Sequence, residues 1–168
     1  MDHLWTPWRY QYIKDEKRLT ECPFCTVVQE EQDEKNFILY RAHHNFVILN
    51  IFPYTGGHLM VIPYQHIAEL VALDKEVSDE LMDLTKLCNQ ILQQEYHPHG
   101  CNLGMNLGRA AGAGVAAHLH MHILPRWMGD VNFITTVAET RTVPEDLITT
   151  YRRLHPYFQQ LSSIQHCV

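Results

Sequence analysis

Serine is scarce in this chain: Ser78, Ser162 and Ser163 are all that 168 residues provide. None sits in the glycine-flanked elbow that a serine hydrolase requires. No Gly-Lys pair occurs, which excludes a Walker-type phosphate loop. No apolar run approaches the roughly 20 residues of a membrane-spanning helix. The opening residues 1–12 carry Asp2, His3 and Arg9 among their aromatics, so they lack the apolar core of a signal peptide. There is no surplus of positive charge either. Thirteen Lys and Arg stand against 19 Asp and Glu, a formal net charge of -6, and a nucleic-acid polymer would find too few cations to displace its counterions. Phosphate chemistry, if present, is aimed at a small molecule. A cytoplasmic location, with neither a membrane nor a nucleic-acid polymer as partner, is the expectation.

Repeats, low-complexity tracts and Ser/Gly linkers are also missing, and 46% hydrophobic content suits one compact core. The expected organisation is a single domain over 1–168, with an aromatic-rich arm at about 1–21 and a tail at about 144–168. The arm, with Trp5 and Trp8, is expected to pack on the body or on a partner subunit. β-rich runs at 37–41 and 45–50 flank the polar Ala42-His43-His44, as in an antiparallel pair, and 58–63 follows the turn at 53–57 as a third strand. Apolar residues recur every three or four positions from Leu70 through Leu73, Val77, Leu81, Leu84 and Leu87 to Ile91, which predicts a long amphipathic helix within 67–96, with Asp74 as cap. A strand at 101–107, a Gly/Ala loop at 108–114, a strictly alternating strand at 118–124 and a short helix in the tail complete the reading. The fold class is α+β, an antiparallel β-meander with one long helix on a face.

Twelve His and five Cys remain to be explained. In His118-Leu119-His120-Met121-His122-Ile123 an extended chain puts three imidazoles on one face and three apolar side chains on the other. Successive rings on that face are about 7 Å apart at Cα, and the outer two about 13 Å, so one metal cannot easily hold all three. Imidazole suits nucleophilic attack at phosphorus because an unperturbed ring, pKa about 6.5, is roughly three-quarters neutral at pH 7 and needs no activating base. The loop Gly108-Arg109-Ala110-Ala111-Gly112-Ala113-Gly114 can bring backbone N–H groups close to phosphate oxygens. Arg109 and Arg126 could neutralise a polyphosphate or could be ordinary surface charges. Cys22-Pro-Phe-Cys25 has a spacing that lets both thiolates reach one metal, though it also fits a redox pair or two buried thiols. Cys88, Cys101 and Cys167 read as ordinary small side chains.

The run His118 to Pro125 resembles the motif of the histidine triad (HIT) family of nucleotide hydrolases and transferases. Phe46 to Pro63, with Asn50, Gly57, His58 and Pro63 in register, is similar to that family's ribose-side hairpin, and Asn106 to Val115 to its phosphate loop. The opening Trp-Thr-Pro-Trp-Arg, the Cys-Pro-Phe-Cys and residues 125–133 are similar to a bacterial branch associated with diadenosine tetraphosphate phosphorylase or hydrolase activity.

The resemblance implies a HIT-like fold and a dinucleoside polyphosphate substrate. His120 would be the nucleophile that becomes nucleotidylated, and His122, His118 and His58 would complete the catalytic set. Asn50, Asn106, Gly112, Ala113, Gly114 and Val115 would contact the nucleotide. The resemblance further implies a homodimer and a structural zinc held by Cys22, Cys25, His66 and His118. One departure stands out: Gly114-Val115 fills the place where many members carry Gln-Ser or Gln-Thr, which removes a hydroxyl from the phosphate loop. Two other readings stay open, a zinc-dependent hydrolase with the His run as ligands and a non-catalytic adenine-nucleotide-binding regulator.

Overall fold

A computed structural model describes residues 21–130 and 145–165, with side chains to residue 161. The aromatic arm before residue 21, and residues 131–144, lie outside the described residues. The described residues open with two short helices that the hydropathy pattern did not announce, α1 (Pro23–Gln29) and α2 (Asp33–Asn36). Pro23 sits in the first turn of α1, where its missing N–H costs nothing, so the Cys-Pro-Phe-Cys run is itself a helix start.

Five strands follow: β1 (Ile38–Arg41), β2 (Asn45–Leu49), β3 (Leu59–Pro63), β4 (Gly100–Gly104) and β5 (Met121–Arg126). They form one antiparallel sheet in the order β1-β2-β3-β5-β4. The expected α+β class holds, and the meander runs through the first three strands. The chain then crosses one face of the sheet in helix α3 (Lys75–Tyr96), about 33 Å long. It enters the far edge as β4 and returns as β5 between β4 and β3. That return makes His58 and His122 neighbours, because β5 pairs with β3 through Met60 and His122.

Helix α3 begins later than its apolar period suggested, at Lys75, with a 3₁₀ turn at Leu70–Ala72 before it. Asp74 is at the N-cap position but caps with its backbone carbonyl only, to Ser78 N at 3.0 Å. Its buried stripe of Val77, Leu81, Leu84, Cys88 and Ile91 keeps the spacing of three and four. The Glu80 carboxylate of α3 accepts from the His43 and His44 amides at 3.0 and 2.8 Å and from Asn45 Nδ2 at 2.7 Å, which pins the β1–β2 turn to the helix. The tail is more regular than expected, a 19-residue helix α4 (Leu147–Gln165) that buries Tyr151, Leu154 and Phe158 beside α3 and β1. Arg153 ties α4 to α3 through Glu95 at 2.7 Å, and to Glu145 at 2.8 Å. Among the described residues, no helix is long and apolar enough to cross a membrane.

The two faces of the sheet differ. α3 and α4 cover one, over Val47, Leu49, Leu59, Val61 and Ile123. On the other, α1 lays Phe24, Val27 and Val28 over Phe46, Ile48, Met60 and Ile62. By alternation His122 shares this second face. Gly57 delivers the chain into β3 with φ +76°, and a Cβ there would come within 3.2 Å of Leu92 and 3.3 Å of Pro125 and Tyr96. Only glycine combines that backbone with that closeness.

Candidate active site

The His run is less regular than strict alternation suggested. The strand starts at Met121, so His122 lies in the sheet while His118 and His120 precede it. The reason is a competing partner: the Leu119 amide donates to the Ile67 carbonyl at 2.7 Å, outside the sheet, and the His118 amide reaches Val115 O at 3.5 Å. The rings nevertheless gather. His120 and His122 have centroids 4.8 Å apart, His58 and His122 5.1 Å, and Phe24 packs on His118 and His120 at 5.5 and 5.2 Å. All four imidazoles are buried.

Hydrogen bonds decide which nitrogen carries each proton. His118 O accepts from His120 Nδ1 at 2.9 Å, so His120 holds its proton there and presents Nε2 as a free lone pair. The Tyr54 amide donates to His58 Nδ1 at 3.2 Å, which leaves the His58 proton on Nε2. That proton points at His122 Nδ1, 2.9 Å away, so His122 in turn carries its own on Nε2. His122 Nε2 is buried and has no partner. A buried donor without an acceptor costs stability until a ligand oxygen arrives. Tyr54 was not legible as a site residue from the motif, yet it contributes the amide on His58 and a ring that packs on His58 and His122 at 4.8 and 5.9 Å.

Burial keeps these rings neutral. It pushes His58 down to about 3, with His122 and His120 adding to the effect, and His122 down to about 4, with His120 adding. Burial also lowers His120, against the raising effect of its bond to His118 O. An unfolded chain would protonate these rings below about pH 6.5. Stability linked to His58 and His122 is therefore complete above about pH 6.5 and is lost as the pH falls toward 4. The slope approaches about 1.4 kcal/mol per pH unit for each ring while the unfolded state alone binds the proton. Thermal melts at pH 7, 6 and 5 should show a falling Tm, with a shallower fall in His58→Asn. A flat Tm across that range would contradict the neutral pair.

The other expected site residues are placed as follows. Asn50, at the end of β2, is nearly buried; its Oδ1 accepts from Phe52 N at 2.9 Å and its Nδ2 lies 3.3 Å from His58 Nδ1. The Gly/Ala loop folds on itself, with the amides of Ala111, Gly112 and Ala113 bonded to Gly108 or Arg109 carbonyls at 3.0–3.3 Å. Among the described residues, the amides of Gly114, Val115 and Ala116, just before His118, have no backbone acceptor. Asn106 is half-buried at the head of this loop and Arg109 is exposed on its 3₁₀ turn. Arg126 is committed elsewhere: Nε and Nη2 donate to Asp130 and Nη1 to Asn102 Oδ1 at 2.7 Å.

A second cluster adjoins the first. Donor atoms of Cys22, Cys25, His66 and His118 all lie within 4.8 Å of one another. His118 Nδ1 is 3.3 Å from Cys22 Sγ and 3.6 Å from Cys25 Sγ, and His66 Nδ1 is 3.3 Å from Cys25 Sγ. His118 spends its Nε2 proton on Pro63 O at 2.8 Å, which turns the Nδ1 lone pair toward the sulfurs. A tetrahedral ion about 2.3 Å from sulfur and about 2.0 Å from nitrogen has donor–donor edges of about 3.3–3.8 Å, so the cluster suits zinc. Beside it α1 and the sheet enclose a cavity of about 110 Å³, lined by Phe24, Val28, Phe46, Tyr64 and His118 among others.

A helix-covered antiparallel sheet thus carries a buried row of imidazoles, one with an unprotonated ring nitrogen and one with an orphan donor. Comparison with known proteins places it. The HIT domain profile matches residues 31–128, and the chain belongs to the HIT family. It is 37% identical over 161 residues to the AP-4-A phosphorylase of Mycobacterium tuberculosis, covering 92% of this chain and 83% of that one. Among solved structures, a Zn-bound histidine triad family protein from Mycobacterium smegmatis superposes with a TM-score of 0.68 at 29% identity, over 86% of this chain and 97% of its own. A hypothetical histidine triad nucleotide-binding protein from Sulfolobus tokodaii does so with 0.66 at 28% identity, over 84% and 94%.

Proposed function

We propose that this protein cleaves dinucleoside polyphosphates such as diadenosine tetraphosphate through a covalent nucleotidyl-His120 intermediate. The observation that carries the reading is the proton chain: Nδ1–H of His120 given to His118 O, and the orphan Nε2–H of His122 one ring away. The His120 Nε2 lone pair attacks the phosphorus attached to the retained nucleoside, and a N–P bond forms as the bridging P–O bond breaks. The bridging oxygen leaves with the remaining phosphates, its developing charge met by His122 Nε2–H, which His58 holds in place. Phosphate or water then attacks the same phosphorus, and the N–P bond breaks to restore His120. The free amides of Gly114 and Val115 receive non-bridging oxygens in place of the missing hydroxyl, with Asn106, Gly112 and Ala113 shaping that loop. Asn50, beside His58 at the end of β2, lies on the ribose side of the retained nucleotide.

Zinc belongs to the same proposal. Cys22, Cys25, His66 and His118 would hold it, and its role would be to fix α1 and the His118 carbonyl rather than to activate water. The M. tuberculosis relative's name supports the substrate, and the Zn-bound M. smegmatis relative supports the metal. Edge strand β4, with Leu103 51% exposed, supports a homodimer. Free thiols at Cys22, Cys25, Cys88 and Cys101 suit the reducing cytoplasm.

The test is a product assay on diadenosine tetraphosphate with and without inorganic phosphate. ADP plus ATP formed only with phosphate identifies phosphorolysis, and AMP plus ATP without it identifies hydrolysis. Nucleotide binding with no product after long incubation would instead support a regulator and end this proposal.

A further inference from the structure

Aromatic rings flank the imidazole row at both ends. Phe24 lies on His118 and His120, and Tyr54 lies on His58 at 4.8 Å and on His122 at 5.9 Å, tilted by 47° and 34°. The turn between β2 and β3 holds Tyr54 in that place. It closes through Asn50 N to His58 O at 3.0 Å and Phe52 N to Asn50 Oδ1 at 2.9 Å, and it ends at Gly57, where Leu92, Pro125 and Tyr96 stand too near for a Cβ.

Tyr54 meets the catalytic rings in two ways. Its amide donates to His58 Nδ1 at 3.2 Å, from the side on which Asn50 Nδ2 also stands, 3.3 Å from that nitrogen. Two donors facing Nδ1 leave the His58 proton on Nε2. The Tyr54 ring then spans both partners of the 2.9 Å bond that this proton makes to His122 Nδ1. A neutral imidazole pair has two directions open to it: His58 donates to His122, or His122 donates to His58. Only the first leaves an N–H on the far nitrogen of His122. We propose that Tyr54 is the positioning residue of this pair: its amide sets the direction of the His58–His122 bond and its ring holds the two imidazoles in line, so that His122 keeps Nε2–H for the departing phosphate oxygen. The role of that oxygen rests on the dinucleoside polyphosphate reading above; the direction of the bond does not.

Two measurements on the full-length protein test the assignment. The first needs no substrate, because ring-nitrogen NMR reports which nitrogen of each histidine carries the proton. Wild type should show His58 and His122 both protonated at Nε2. Tyr54 is 46% exposed, so Tyr54→Ala removes the ring without hollowing the core; it should show mixed tautomers at both histidines and an unchanged far-UV CD spectrum. Tyr54→Gln, which keeps length and polarity without a ring, should behave the same and serves if the alanine variant does not fold. The second measurement compares diadenosine tetraphosphate with the p-nitrophenyl ester of AMP, whose leaving group spreads its own charge and gains little from a donor. Tyr54→Ala should lower kcat on the first about 10- to 100-fold, with KM within about twofold of wild type, and lower kcat on the second about threefold or less. Tyr54→Phe should restore the wild-type tautomers and both rates. His58 protonated at Nδ1 in wild type, tautomers unchanged in the ringless variants, or an equal loss on both substrates overturns the positioning role and leaves the proposed function standing. Wild type that turns over neither substrate ends the proposed function, and the tautomers then decide the role of Tyr54 by themselves.

Discussion

His120→Ala should lower turnover of diadenosine tetraphosphate at least about 10⁴-fold, the scale on which removal of a covalent nucleophile acts. The variant should still bind nucleotide, since the ring lies against Phe24 and His122 in a core that the sheet holds independently. Rapid quenching of wild type should trap a mass increase of one nucleotide, absent in His120→Ala. The two measurements separate the open alternatives. A chelator-sensitive reaction with no adduct would favour a metal-bound water as nucleophile, although the metal-type cluster found among the described residues contains His118 and not His120 or His122. Substantial turnover by His120→Ala would end the covalent mechanism.

Protein purified without chelator should carry about one zinc per chain, and Cys22→Ser/Cys25→Ser should carry almost none. A ligand present at a thousand times its Kd stabilises by about 4 kcal/mol. For a chain of this size each kcal/mol is worth about 2–4 °C, so the double variant should melt about 8–16 °C lower. The physical basis is that the cluster joins three otherwise separate segments, α1, the stretch after β3 and the stretch before β5. Loss of metal also leaves Cys25 with a thiol that burial and neighbouring Cys22 push up. Metal analysis and calorimetry check both points; zinc well below a tenth of an equivalent, with an unchanged Tm in the double variant, would remove the site.

Much of this site is local in origin. The triad spacing placed three imidazoles on one side of an extended chain, and Cys22-Pro-Phe-Cys25 announced a pair of thiolates. The apolar period of α3 located its buried stripe to the residue at Val77, Leu81, Leu84 and Ile91. The start of β5 was misjudged because alternation continues whether or not the backbone is paired, and the Ile67 carbonyl that takes the Leu119 amide is distant in sequence. The role of Phe24 was hidden for a similar reason. Between two cysteines it reads as a spacer, yet the helix that begins at Pro23 turns its ring onto His118 and His120.

Composition, the alternating His run and the paired cysteines by themselves determined the side-chain chemistry at hand: imidazoles gathered on one side, a thiol pair with metal-ligand spacing, and no serine in a glycine-flanked elbow, no Walker loop and no surplus of cations. Those are properties of residue type and short spacing, which survive without a fold. Only the tertiary structure decided which ring nitrogens carry a proton and which are left without a partner. Long-range packing supplies the partners that set the protons of His122 and His118, His58 and the Pro63 carbonyl, while that of His120 is set locally by the His118 carbonyl. The insertion of β5 between β3 and β4 brings His122 beside His58.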